Sequence, residues 1–290
     1  MKPIWWQLGL GLALLVGLVA LLVQSTVPRM PGMTITGGMP MDGNGNPNGR
    51  MPGMTMPMGK VATRDAHALA LLPSGQVFFG HHDGVQRFDP QPGRWSDALR
   101  QTDYDAMNLA WDGERLIVAG HGVYAESRDL SLFRDLKPRG LPGDDLHGYA
   151  VNPSDPRQHY LWEVVGGLYR SDDGGATWQG LAGRGLPRGV HTLAVDGENR
   201  LYAGGAGLGL YRSSDGGRSF APVDPPETDV LAMSVGADWK LYVGGRRGLY
   251  VQGEGGWQRL ESSSVLALTS SPSEAGYVVW LDGSGRVWQR

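Results

Sequence analysis

The chain has no cysteine in its 290 residues, which excludes a disulfide frame, a thiolate metal site, a cysteine nucleophile and a lipidated cysteine. It also lacks a charge excess: 26 basic and 29 acidic side chains leave a formal −3, too balanced for a nucleic-acid surface or an acidic tail. Histidine pairs at the short spacings of familiar metal motifs are missing too. What the chain does have is glycine, 46 residues, and ten tryptophans, the composition of a turn-rich β protein.

One long apolar run stands at the start. From Ile4 to Val23 there is no charge, and Gln7 is the only strongly polar side chain. At about 1.5 Å per residue such a helix crosses a hydrocarbon core of about 30 Å. Lys2 on its short side predicts an N-in orientation with the rest of the chain exported. Residues 1–27 therefore read as a transmembrane signal anchor in the cytoplasmic membrane, with an extracytoplasmic body. The alternative is a signal peptide cut near Val23-Gln24-Ser25, which would leave a secreted protein.

Residues 28–60 are rich in Pro, Gly and Asn and almost free of β-branched and aromatic residues, a composition that reads as a flexible tether. The segment holds Met30, Met33, Met39, Met41, Met51, Met54, Met56 and Met58, eight of the chain's eleven methionines. Recurrent pairs such as Met30-x-x-Met33, Met39-x-Met41 and Met54-x-Met56 offer clustered thioethers, which select a soft ion such as Cu(I). A low-complexity linker that merely tolerates methionine is the other reading.

The remaining residues, 61–290, repeat at intervals of about 40. Six segments align: HALALLP from His67, MNLAWDG from Met107, HGYAVNP from His147, HTLAVDG from His191, LAMSVGA from Leu231 and LALTSSP from Leu266. Each is followed by a second apolar strand (QVFFG, RLIVAG, HYLWEV, RLYAGG, KLYVGG, GYVVWL) and, past a glycine turn, by a third. An aromatic then opens a fourth: Trp95, Phe133, Trp178, Phe220 and Trp257. Four short strands per unit and six units predict an all-β, six-bladed β-propeller. The chain ends on the third strand of its last unit, so the outer strand of that blade is expected from the N-terminal side, within Met54 to Thr63, a three-stranded last blade being the alternative.

Two turns between third and fourth strands share the pattern Ser-x-Asp-x-Gly-x-[Thr/Ser]-[Trp/Phe]: Ser171, Asp173, Gly175 and Trp178 in one, Ser213, Asp215, Gly217 and Phe220 in the other. This pattern resembles the Asp-box, or BNR, repeat of sialidases, sortilin-type receptors, some glycoside hydrolases and photosystem assembly propellers. A structural clasp is the expected role, with the aspartate accepting turn amides, glycine at positive φ and the aromatic buried below.

The register sorts the loops by face. Asp-box turns lie on one side, and six of the seven histidines fall on the other. His67, His147 and His191 open innermost strands, with Met107 in the same slot of blade 2, and His81, His82 and His121 lie in second-to-third turns. His159 is expected in a first-to-second turn on the Asp-box side. Asp65, Asp105, Asp145 and Asp229 stand two residues before the aligned position in blades 1, 2, 3 and 5. Equivalent positions converge on a channel mouth, so a metal site is expected there; His with Met suits copper, and His with Asp suits zinc or manganese. A polar pocket for another ligand is the competing reading.

The Asp-box resemblance implies a second possibility, a sialidase-like or other glycoside hydrolase. Sialidases open their first strand Phe/Tyr-Arg-Ile-Pro, whereas here Arg64-Asp65-Ala66-His67 places an aspartate where that arginine belongs. Arg64, Arg188, Arg246 and Arg247 lie on the binding face, but Tyr104, close to that face, has no convincing glutamate partner, since few glutamates belong to the face, Glu227 and Glu163 among them. A glycosidase would have to rely on carboxylates such as Asp65 and Asp105. The favoured reading is a non-enzymatic, membrane-tethered binding or assembly module for a metal ion or a metalloprotein partner.

Overall fold

The computed structural model describes residues 53–61, 65–91 and 93–290. The apolar run, Met30, Met33, Met39, Met41, Met51 and Arg64 lie outside them, and among the described residues no helix is long and apolar enough to cross a membrane.

Six four-stranded antiparallel sheets make a six-bladed propeller. The innermost strands are Ala66–Leu71, Asp105–Trp111, Leu146–Asn152, Thr192–Val195, Val230–Val235 and Val265–Ser270. Second strands such as Val77–His81 and Leu201–Gly205 are buried throughout. Their two-residue period explains why nearly every position is apolar or glycine. Phe78 packs toward blade 2 beside Val118, while Phe79 packs toward blade 6 beside Val279. Tyr202 and Trp280 do the same at the interfaces of blade 5 with blades 4 and 6. A strand sandwiched between two blades has no solvent face on which to alternate.

Closure is supplied by Met56–Lys60, which pairs antiparallel with the last strand, Met56 opposite Gln289 and Pro57 opposite Trp288. The expected outer strand is therefore present. It takes the final five residues of the segment read as tether, so the ordered ring begins at Met56. Met58 is 2 % exposed in the core at the blade 1–6 interface, which leaves its thioether unavailable to an ion, whereas Met54 is exposed.

Both Asp boxes form closed turns. Ser171 Oγ donates to Asp173 Oδ1 (2.8 Å) and accepts the Gly175 N–H (2.8 Å). Thr177 gives its N–H to Oδ1 (2.8 Å) and its hydroxyl to Oδ2 (2.6 Å) of the same aspartate. These donors, the Thr177 hydroxyl foremost, hold the Asp173 carboxyl down at about 2. Asp215 repeats the pattern with Ser213, Gly217 and Ser219. Trp178 and Phe220 are buried beneath their turns.

Candidate metal centre

At the other face, the bulges at the start of the innermost strands set the geometry. Register shifts fall at Ala66/Ala68, Asp105/Asn108, Leu146/Tyr149, Val230/Ala232 and Val265/Ala267, the slots of His67, Met107, His147, Leu231 and Leu266. A bulge re-aims the side chain of its extra residue, here around the channel mouth. His191 stands in the matching place in blade 4, where its N–H meets the Gly204 carbonyl. The slots of blades 1 to 4 are thus His, Met, His and His, and those of blades 5 and 6 are leucine.

His121 is placed by backbone on both sides. It pairs with Asp105 in its own blade and bridges to Asp145 of blade 3. Gly120 beside it cannot carry a side chain, because a Cβ would overlap the Asp105 carbonyl. Asn108 reaches across the same seam. Its Nδ2 donates to the carbonyls of His147 (2.6 Å), Leu146 (3.2 Å) and Ala119 (3.3 Å), fixing the bulge that presents His147. Little marks Asn108 in the sequence, since its repeat column otherwise holds small residues: Ala68, Gly148, Thr192, Ala232 and Ala267.

The result is a connected row of imidazoles and carboxylates over blades 1 to 4, containing two groups with metal-ligand spacing. One is His67, His82 and Asp105: His67 Nε2 lies 2.8 Å from Asp105 Oδ1 and His82 Nδ1 3.4 Å from Oδ2. The other is His121, Asp145 and His147. Asp145 Oδ1 is 2.8 Å from His121 Nε2 and 3.1 Å from His147 Nε2, and the two Nε2 atoms are 2.9 Å apart. His121 Nδ1 approaches Asp105 Oδ2 at 3.1 Å, and His147 Nδ1 approaches His191 Nδ1 at 3.0 Å.

A neutral imidazole has one N–H. Assigning that of His121 to Asp105 and that of His147 to His191 satisfies both outer contacts. In these tautomers three bare lone-pair atoms, two nitrogens and one carboxylate oxygen, face one another with no hydrogen between them. Asp145 Oδ1 is shielded from solvent and has no hydrogen-bond partner. Burial lowers the His147 pKa, neighbouring His191 adds to the effect and Asp145 opposes it; burial also lowers that of His67, against Asp105 and Asp65. Both rings are therefore neutral ligands at neutral pH.

The other residues singled out in the sequence lie elsewhere. Met107 lines a central cavity of about 460 Å³ together with His67 and His191. His81 stacks on Phe79 (5.6 Å, 23°), accepts the Asp83 N–H and belongs to neither group. Asp229 clamps Gly207 N–H and Arg246 (2.7 Å each). Asp65 is exposed beside His67. Tyr104 is buried and donates to Asp135, and both burial and that carboxylate raise its pKa. Glu163 and Glu227 are buried acceptors for turn amides. His159 corrects an expectation: it sits inside the second strand of blade 3, Asp155–Glu163, fully buried, because that strand starts earlier than its apolar run.

No known family profile and no curated protein matches the sequence. Solved structures do resemble the fold. A GH74 xyloglucanase from Xanthomonas campestris is 21% identical with a TM-score of 0.53 over 78% of this chain and 43% of its own, and a GH74 enzyme from Niastella koreensis is 16% identical with a TM-score of 0.53 over 79% and 37%. The chain thus spans less than half the length of these enzymes. A gluconolactonase from Xanthomonas campestris is 15% identical with a TM-score of 0.61, covering 81% of this chain and 88% of its own. At such identities the likeness establishes a shared β-propeller architecture, one that hosts binding domains and hydrolases alike.

Proposed function

We propose that the chain is a membrane-tethered, extracytoplasmic propeller that binds a divalent transition-metal ion through His121, Asp145 and His147. The observation that carries this reading is the triangle of two imidazole nitrogens and one carboxylate oxygen with edges of 2.8, 2.9 and 3.1 Å. Bonds of about 2.1 Å put neighbouring ligands about 3.0 Å apart on an octahedral face and about 3.4 Å apart on a tetrahedral edge. Two histidines and a carboxylate on one face suit Zn²⁺, Fe²⁺ or Mn²⁺ and leave positions open for water or a partner's donor. The Asp105 and His191 contacts supply the outer shell that such ligands need. Copper, on this reading, belongs to the thioethers of the tether. The apolar run with Lys2 before it supports the anchor.

A glycosidase is less well supported. Asp105, one of its two carboxylates, has three imidazoles within 3.4 Å and is 6 % exposed, an environment that holds a cation more readily than it serves a sugar. The test is Co²⁺ and Zn²⁺ binding by the full chain in detergent, stripped first with chelator. Binding with visible Co²⁺ d–d bands is expected, weakened at least ~100-fold in Asp145→Asn and His147→Ala. Binding that these variants leave unchanged, or none at all, would remove the proposal.

A further inference from the structure

The centre just described leaves His67 and His82 unused, and Asp105 with one oxygen to spare. Asp105 is nine-tenths buried, and its two oxygens are divided: His121 and His82 approach Oδ2, while Oδ1 faces His67 alone. Oδ1 and His67 Nε2 are 2.8 Å apart and both are shielded from water, yet neither finds a hydrogen-bond partner, not even the other. Two buried polar atoms in contact without a hydrogen bond are costly to leave so. A cation held against both atoms would satisfy them together. His82, on the exposed turn after the second strand of blade 1, brings a third donor within ligand spacing.

We propose that His67, His82 and Asp105 hold a second divalent ion, coupled to the first because Asp105 links the two groups. The ion's own site rests on the unpartnered atoms of blades 1 and 2. The coupling rests on the reading given above, in which His121 is a ligand of the first ion. A carboxylate that accepts a ligand histidine's N–H raises the basicity of that histidine. Metal on Oδ1 draws density from the same carboxylate, so each ion weakens the other, and their like charges act in the same direction. Linkage makes this penalty reciprocal. Zn²⁺ is the informative probe, because it favours imidazole and carboxylate over the tether's thioethers.

The experiment is Zn²⁺ titration of the full chain in detergent, followed by native mass spectrometry and calorimetry, with thermal melts to confirm folding. Two ions per chain are expected, the second bound ~10-fold or more weaker than the first. His82→Ala, at a side chain 55 % exposed, should leave one ion, now bound more tightly and still lost on adding Asp145→Asn. Asp145→Asn alone should leave one ion that His82→Ala removes. His67→Gln should reproduce His82→Ala and guards against a folding defect at the buried ring. A single ion in the wild type that Asp145→Asn abolishes would overturn the second site and leave the first intact. A single ion lost only through His82→Ala would overturn the first and the coupling. Two ions of independent affinity would overturn the coupling alone, and no binding would overturn both readings.

Discussion

Asp173 and Asp145 sit on opposite faces of the same blade and differ in what surrounds them. Asp173 is exposed, yet a serine hydroxyl, a threonine hydroxyl and a backbone amide all donate to it. Asp145 Oδ1 is shielded and meets two ring nitrogens without a well-aligned hydrogen bond to either. A carboxylate whose lone pairs are filled by its own turn has its chemistry used up and serves as structure. One whose lone pairs face other lone pairs remains poised for a cation. Adjacency does not tell the two apart, since Asp144-Asp145 and Asp172-Asp173 are both pairs in the sequence; the surroundings of each carboxylate in the fold do.

The strongest way to break the comparison is from the structural side. Trp178 packs edge-on against Tyr149 and Tyr124, with centroids 5.9 and 6.5 Å away, and is 4 % exposed. Trp178→Ala should cost about 3–5 kcal/mol of folding stability in denaturant titrations. Zn²⁺ affinity, measured well below the unfolding midpoint, should stay within a few-fold of wild type, because distant sites act additively. A parallel fall in affinity would show that the faces are coupled and the contrast drawn too sharply.

Matched substitutions sharpen it further. Asp173→Asn removes the acceptor of the Thr177 hydroxyl and should destabilise by about 1–2 kcal/mol. Asp145→Asn should do the reverse in the metal-free protein, gaining up to ~1 kcal/mol as its amide donates to the bare Nε2 atoms of His121 and His147. Saturating Zn²⁺ would invert the second result only, since an ion at ~100 times its Kd adds about 2.7 kcal/mol to wild type. Equal destabilisation by both variants without metal would mean that Asp145 is another clasp.

Much of this was legible in the sequence. The 40-residue repeat, the missing last strand and its source before Thr63 follow from apolar runs and turn residues, which act locally. The convergence of His67, Asp105, His121, Asp145 and His147 follows from register alone, since equivalent positions in a ring meet at its mouth. The division into two groups was not legible, because it depends on ring rotation and on which oxygen of Asp105 faces which imidazole. Met107 stands in the same bulge slot, yet a shared slot does not reveal which donors meet. Asn108 carries no local signal, because its role lies in hydrogen bonds across a seam between blades that the sequence does not show. His159 lies in a strand and not in a turn because the mostly polar residues before it, Asp155 to Gln158, extend the strand beyond its apolar run.

The smallest expected effect concerns His159, the histidine that has a donor and an acceptor already. Its Nε2–H donates to the Pro156 carbonyl (2.9 Å), and its Nδ1 accepts the Tyr149 hydroxyl (2.7 Å). Burial pushes its pKa below the ordinary 6.5, with the Pro156 carbonyl opposing. The unfolded chain then takes up a proton at this ring near 6.5, whereas the folded chain does so only at lower pH. Between those two values the unfolded state binds more protons, so stability falls as pH drops through 6.5 and levels off once the buried ring is itself protonated. His67, His81 and His147 are shifted the same way by burial, so the wild-type slope is a sum and only a variant isolates one part. Unfolding midpoints taken in chelator from about pH 7.5 down to about pH 5 should fall less steeply in His159→Gln than in wild type. Identical slopes would mean that protonating this ring costs the folded state nothing, and that other groups carry the acid sensitivity over this range.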